Sequence, residues 1–128
     1  MDDVRFPPVE VIRGVPVVPA PEEIDITNAA GLRAALLEAA AHGSRTVVVD
    51  MSRTQFCDSA GLHTVLGAHR RAEAAGGEVL LVLAGPAVLR IFEVTGLDRL
   101  IPSFASLDEA LAHTPAAMVI HQQPSPEG

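Results

Sequence analysis

Residues 50–67 read D-M-S-R-T-Q-F-C-D-S-A-G-L-H-T-V-L-G. They begin inside a β-branched run, Thr46–Met51 (T-V-V-V-D-M), that is apolar on nearly every position of both faces. A strand buried on both faces belongs in a parallel sheet covered by helices. Residues 52–58 read as a loop. Leu62, Val65 and Leu66 then recur at helical spacing, so a helix is expected over about 59–75, stopped by Gly76-Gly77. Strand, short loop and helix make half of a βαβ unit. In such sheets function gathers at the carboxyl ends of the strands, which is where Asp58 and Ser59 fall.

The alternation continues outward from this unit. Residues 28–42 read as a helix with Asn28 as N-cap; Leu32, Leu36 and Ala39 or Ala40 line one face, and Gly43 stands at the left-handed end. Downstream, Glu78–Leu83 is a second continuous apolar strand. Pro86 opens a third helix at its first position, Val88, Leu89 and Phe92 face inward, and Gly96 ends it. Leu100-Ile101 is expected to start a short strand limited by Pro102. Ser106 and Glu109 have capping-box spacing, which predicts a last helix over about 107–113. Near the N-terminus, residues 9–12 and 15–18 are short apolar runs among Pro7, Pro8, Pro16, Pro19 and Pro21. Proline removes a ladder donor, so these runs are expected only as edge strands or strand-like loops, with a hairpin at Arg13-Gly14. The order implies a single α/β domain: a small, mixed, mostly parallel sheet of about four to five strands packed with about four helices. Residues 1–8 read as an extension, 9–113 as the domain, and 114–128, ending H-Q-Q-P-S-P-E-G, as a tail expected to be disordered.

Composition narrows the function. The chain has 128 residues, 48% hydrophobic and 20% charged, which is ordinary globular usage for one core-forming domain. Trp and Tyr are absent, so Ala, Val, Leu and Ile must build the core. The formal net charge of −7 repels nucleic-acid phosphates and anionic membrane surfaces, so neither partner is expected. No apolar run reaches the roughly 18 residues of a membrane span, and no signal-peptide pattern leads the chain. One cysteine, Cys57, allows no internal disulfide and suits a reducing cytoplasm.

Ser59 is the residue whose chemistry is open. At the first turn of a helix, unpaired N–H groups and a partial positive charge tolerate a phosphate. Phosphorylation would add about −1.5 to −2 charge and three acceptor oxygens beside Asp58. On residue chemistry alone the commoner reading is bland: Asp-Ser before an apolar run is a helix cap, and Gly61 permits close packing.

A set of ordered motifs changes the weighting. Asp58-Ser59-Ala60-Gly61-Leu62 resembles the D-S-[SAT]-G-L phosphorylation loop of the STAS domain, shared by sulphate transporters and bacterial anti-sigma factor antagonists. Glu23-Ile24-Asp25 resembles the family's E-L-D turn, and Asp50-Met51-Ser52 its D-L-S strand end. Gly76-Gly77-Glu78, Pro86-Ala87-Val88 and Thr95-Gly96-Leu97 resemble its later turns, so the likeness runs over residues 23–112. The resemblance implies a non-enzymatic switch without cofactor or metal. Its expected partners are an anti-sigma factor that is itself a serine kinase, and a serine phosphatase. Ser59 corresponds to the phosphoacceptor. Unphosphorylated antagonist binds the anti-sigma factor and frees a sigma factor; phosphorylation ends the binding. The expected partner-contacting residues are Asp25 and Thr27 in one turn. In the other they are Asp58, Ser59, Ala60, Gly61, Leu62 and His63. A monomer is expected. The sequence departs from the family at His63, where a small residue is usual, and at Glu22, which replaces a glycine.

Other readings weigh less. Ser59 and His63 share a helix face, yet the G-x-S-x-G elbow of a hydrolase is absent. Of five histidines none forms an H-x-x-x-H pair or joins a cysteine cluster. His69 extends the Leu62–Val65–Leu66 stripe and is expected to be partly buried in the core. Cys57 reads as a small buried apolar residue, with redox tuning as the weaker alternative. The remaining alternative is a STAS module that only mediates interaction, as a transporter accessory or a stress-scaffold subunit; the D-S-A-G-L setting of Ser59 and the lone-domain architecture favour the switch.

Overall fold

The structure, a computed structural model, describes residues 7–114. The Val-rich run becomes β4 (Thr46–Met51) at the middle of a five-stranded sheet. On one side lie β2 (Val15–Pro19) and then β1 (Glu10–Ile12); on the other lie β6 (Glu78–Leu83) and then β7 (Ser103–Phe104). All neighbours are parallel except β1, which returns antiparallel on β2. Both faces of β4 are dry. Val47, Val49 and Met51 join one cluster; Val48 points to the other with Val17, Leu80 and Val82. This explains an apolar run without alternation.

The crossovers place three helices over the first face. They are α1 (Ala29–Ala40), α2 (Ser59–Ala74) and α3 (Pro86–Thr95), and they contribute Leu32, Leu36, Val65, Val88 and Phe92 to the larger core. Successive parallel strands added in one direction by right-handed crossovers put their helices on one side. A last helix, α5 (Leu107–Ala112), lays Ala110 and Leu111 on the opposite face. Its N-cap Ser106 accepts the Glu109 N–H at 3.1 Å, and the Glu109 side chain returns to Ala105 N at 3.3 Å, close to the expected capping box.

Several expectations need correction. β2 is an interior strand despite its prolines. Its pairing with β1 covers Val15, Pro16 and Val17, and its pairing with β4 covers Val17, Val18 and Pro19, so each proline is paired on one side only. A missing N–H is harmless on an unpaired side, which the edge-strand expectation overlooked. The hairpin does turn at Arg13-Gly14, where φ values of 54° and 79° give the doubly left-handed turn that matches strand twist. Leu100-Ile101 starts no strand. Gly96, at φ 79°, ends α3, and the chain coils again as α4 (Leu97–Leu100). Ile101 is fully buried, and β7 begins only after Pro102, whose carbonyl accepts the Leu81 N–H at 2.9 Å. Residues 52–58 are not wholly loop either: β5 (Phe56–Cys57) pairs with β3 (Glu23–Ile24) in a second, two-stranded sheet. The tail expected at 114–128 lies outside the described residues from 115 onward.

Phe92 is the largest fully buried side chain among the described residues, whereas Val94 on the same helix is 74% exposed. Phe92→Ala is expected to lower unfolding free energy in urea by about 3–5 kcal/mol. Val94→Ala should change it by less than about 0.5 kcal/mol.

Candidate functional site

Beyond the carboxyl ends of β2 and β4 the two chains stay side by side. Glu22 O accepts N–H bonds from Gln55 (2.7 Å) and Phe56 (3.3 Å), and Ile24 O accepts one from Asp58 (3.0 Å). Buried Thr54 reaches back from the β4–β5 loop and donates its hydroxyl to Pro21 O at 2.8 Å. The β3–β5 pair aligns Glu23 with Phe56 and Ile24 with Cys57. The inner pair, Ile24 and Cys57, is buried; the outer pair faces water.

Asp58 closes the site. It is the N-cap of α2: its Oδ1 accepts the Gly61 N–H at 3.1 Å, and its backbone carbonyl accepts the Leu62 N–H at 3.0 Å. Its Oδ2 accepts the Ile26 N–H, also at 3.1 Å. One carboxylate therefore joins the D-S-A-G-L turn to the E-I-D turn. Of the Asp-Ser pair, Asp58 and not Ser59 is the cap. Ser59 is the first helical residue and is exposed. Its Oγ makes no hydrogen bond among the described residues, and neither the Ser59 nor the Ala60 N–H has a partner there. An accessible hydroxyl thus stands beside two free donors at the positive end of a 16-residue helix.

The E-I-D turn is fixed by its own bonds. Asp25 Oδ1 accepts both the hydroxyl and the N–H of Thr27. The Thr27 hydroxyl, followed by the Thr27 N–H, holds the Asp25 carboxyl below the ordinary carboxylate range. A depressed folded pKa contributes stability that is present above the unfolded pKa. It is lost as pH falls through the folded value. Asn28 occupies the cap position of α1 but does not cap it. Its Oδ1 accepts the Asp25 N–H (2.9 Å) and its Nδ2 donates to Glu23 O (2.8 Å), so it braces the preceding turn instead. Asp25 O accepts the N–H of the cap residue Asn28 (3.1 Å) and of the first helical residue Ala29 (2.8 Å).

Gly61 is where the helix meets the small sheet. A Cβ there would stand 2.6 Å from both Cys57 Sγ and Ile24 Cγ2. Only a residue without a side chain lets the first turn of α2 rest on β3 and β5 this closely. Cys57 is 2% exposed, and burial, then the charge of Asp58, pushes its thiol up to about 12. Cys57 therefore packs as a small apolar group. His69 is 4% exposed, as its place on the stripe predicts, with Nε2 3.5 Å from Glu73 Oε1.

The structure brings the expected residues together at one edge, with different roles. Thr27, Ser59 and His63 face solvent; Asp25, Asp58 and Ala60 are half-buried; Gly61 and Leu62 turn inward. Two residues were missed. Ile26 is 78% exposed and Phe56 48%; the Ile26 N–H bonds to Asp58, the residue before Ser59, and Phe56 lies three residues before Ser59. Hydrophobicity alone assigns them to the core. Their exposure comes from local structure: Phe56 alternates with buried Cys57 in β5, and Ile26 sits in the turn after Asp25.

Gly61→Ala is expected to lower unfolding free energy by about 1–3 kcal/mol, read from the urea midpoint, because the added methyl overpacks the Ile24–Cys57 contact. Cys57 should resist iodoacetamide at pH 8 in the native protein and react fully once unfolded in urea. Rapid native labelling would show that the thiol is neither buried nor protonated.

Comparisons with known proteins bear on the family and the fold. Residues 6–110 match the family model described as STAS domain. The anti-sigma-F factor antagonist RsfB of Mycobacterium tuberculosis H37Rv is 32% identical over 98 residues, which span 77% of this chain and 80% of that protein. The crystal structure of an anti-sigma factor antagonist from Mycobacterium paratuberculosis superposes with a TM-score of 0.75 at 33% identity, covering 81% of this chain and 88% of that one. Phosphorylated SpoIIAA, a Bacillus cell fate determinant, gives 0.63 at 29% identity, covering 83% and 96%. By the family match across most of its length and by its superposition on these structures, the chain belongs to the STAS domain family.

Proposed function

We propose that the chain is an anti-sigma factor antagonist that acts by partner switching. The unphosphorylated form binds an anti-sigma factor with serine kinase activity and frees a sigma factor. Transfer of a phosphoryl group from ATP to Ser59 Oγ, which loses its proton, ends that binding. A serine phosphatase restores the hydroxyl. The switch works in the cytoplasm as a monomer, with residues 9–113 as the working unit.

The observation that carries this reading is the exposed, unbonded Ser59 hydroxyl at the start of α2, next to a separate cap. A kinase can reach it, and the free N–H groups of Ser59 and Ala60 can accept the product's charge. The names of the relatives support the partner class, and SpoIIAA has been solved in both phosphorylated and unphosphorylated forms. The energetics suffice. Swinging a complex from nearly all bound to nearly all free takes ~10⁴ in affinity, about 5.5 kcal/mol. A dianion forced into a dry interface costs several kcal/mol. The transfer chemistry is assigned to the kinase.

Incubation with ATP and the anti-sigma kinases encoded in the same genome should add one phosphate, on Ser59, and none to Ser59→Ala. Ser59→Asp should bind the kinase about 30-fold or more weakly, since an unpaired charge in a buried interface costs 2 kcal/mol or more. Ser59→Ala should bind as the parent does. Undiminished phosphorylation of Ser59→Ala defeats the site assignment, and equal binding by the two variants defeats the switch.

A further inference from the structure

Ile26 and Phe56 are large apolar side chains held in water at the edge of the Ser59 site. Ile26, at 78%, is the most exposed large hydrophobic residue among those described, and Phe56 is 48% exposed. Their backbones are pinned. The Ile26 N–H donates to Asp58 Oδ2 at 3.1 Å, and the Phe56 N–H donates to Glu22 O at 3.3 Å. Strand alternation in β5 turns Cys57 inward and so turns Phe56 out. Ile24 likewise occupies the inner position that Ile26, two residues on, does not share. Both exposed residues lie on segments tied to Asp58, the neighbour of Ser59. Neither helps to build the core.

Their setting is charged in one sense. Glu22 and Glu23 are exposed beside them, and Asp25 and Asp58 are half-buried; Arg53 is the one basic residue in the β4–β5 loop. A second copy of this chain would bring four like charges against four, which disfavours self-association. A partner with apolar pockets rimmed by basic side chains fits both features.

We propose that Ile26 and Phe56 are the apolar anchors by which the unphosphorylated chain holds its anti-sigma factor, on a surface of that partner that is basic around an apolar centre. The assignment rests on the partner-switching reading and sharpens it. Pinned apolar anchors desolvate the middle of an interface, where most binding energy concentrates. Ser59 then sits within or at the rim of that dry centre. A phosphate there meets low dielectric and the neighbouring Asp58, rather than water that would screen it. The anchors therefore explain how one phosphoryl group is enough to separate the pair. They also explain why two side chains of this size are left in water in the free protein.

The test is calorimetric titration, without ATP, of the anti-sigma kinases encoded in the same genome with six proteins. These are the parent, Ile26→Ser, Phe56→Ser, Phe56→Leu, Ser59→Asp and Val11→Ser, with urea midpoints confirming that each is folded. Val11 is 54% exposed but lies on β1 opposite Pro16, away from the carboxyl end of β2. Ile26→Ser and Phe56→Ser should each weaken binding by about 30-fold or more, while Phe56→Leu stays within about tenfold and Val11→Ser within about threefold. If Ser59→Asp dissociates the pair but both serine variants bind within about threefold of the parent, the anchors are overturned and switching stands. If the parent binds none of the kinases, the switching reading falls and the anchors fall with it.

Discussion

The carboxylate of Asp58 is the interaction on which the two loops of the site depend. One oxygen takes the Gly61 N–H and the other the Ile26 N–H. The donors belong to segments that leave different strands, β4 and β2. Bonds from an ionised carboxylate to backbone N–H groups are stronger than neutral ones, so one side chain sets both the first turn of α2 and the place of the turn before α1. The topology makes this possible. β2 and β4 are parallel neighbours, so their carboxyl ends open at the same edge, and the β3–β5 pair extends that parallel contact. In an antiparallel pair the two exits would lie at opposite ends.

Sterics then select the residues around Asp58. α2 can rest on the small sheet only if its contact residue has no side chain and its counterpart is narrow. Gly61 meets the first need. Cys57, close enough that a methyl on Gly61 would collide with its sulfur, meets the second. Ile24 fills the remaining space and is fully buried. The D-S-A-G-L turn is thus anchored from beneath while Ser59 and His63 stay on its outer side. The support beneath the turn is rigid while the hydroxyl above it stays accessible.

What was legible in the sequence follows from the range of each signal. β4, β6 and the first three helices carry their evidence locally, in uninterrupted apolar runs or in helical periodicity with glycine stops. The short strands β3 and β5 carry none. Each has two residues, and they exist because carbonyls of Glu22 and Ile24 find donors more than thirty residues away. β2 is interior despite its prolines because it is paired on each side over only part of its length, a fact of pairing that no local residue signal carries. Asn28 marked the start of α1 correctly, but its side chain bonds backward to Glu23 and Asp25. Residue type located that boundary without determining the bond. Ile26 and Phe56 were illegible because hydrophobicity gives a default of burial; the pairing of β5 with β3 turns Phe56 out, and the turn after Asp25 leaves Ile26 exposed.

The division of labour between Asp58 and Ser59 was equally beyond the sequence. Either residue of an Asp-Ser pair can cap a helix. The bond from Gly61 N to Asp58 Oδ1 assigns the cap and leaves the serine free. This separation has a mechanical consequence. If Ser59 were the cap, modifying its hydroxyl would alter the bond that starts α2, and a change of charge would also be a change of fold. With Asp58 as the cap, Ser59 can change charge while the helix start, the Gly61 contact and the Ile26 tether keep their partners. A phosphate on Ser59 would then act on what approaches the surface rather than on the surface's own architecture, which is the condition a reversible switch must meet.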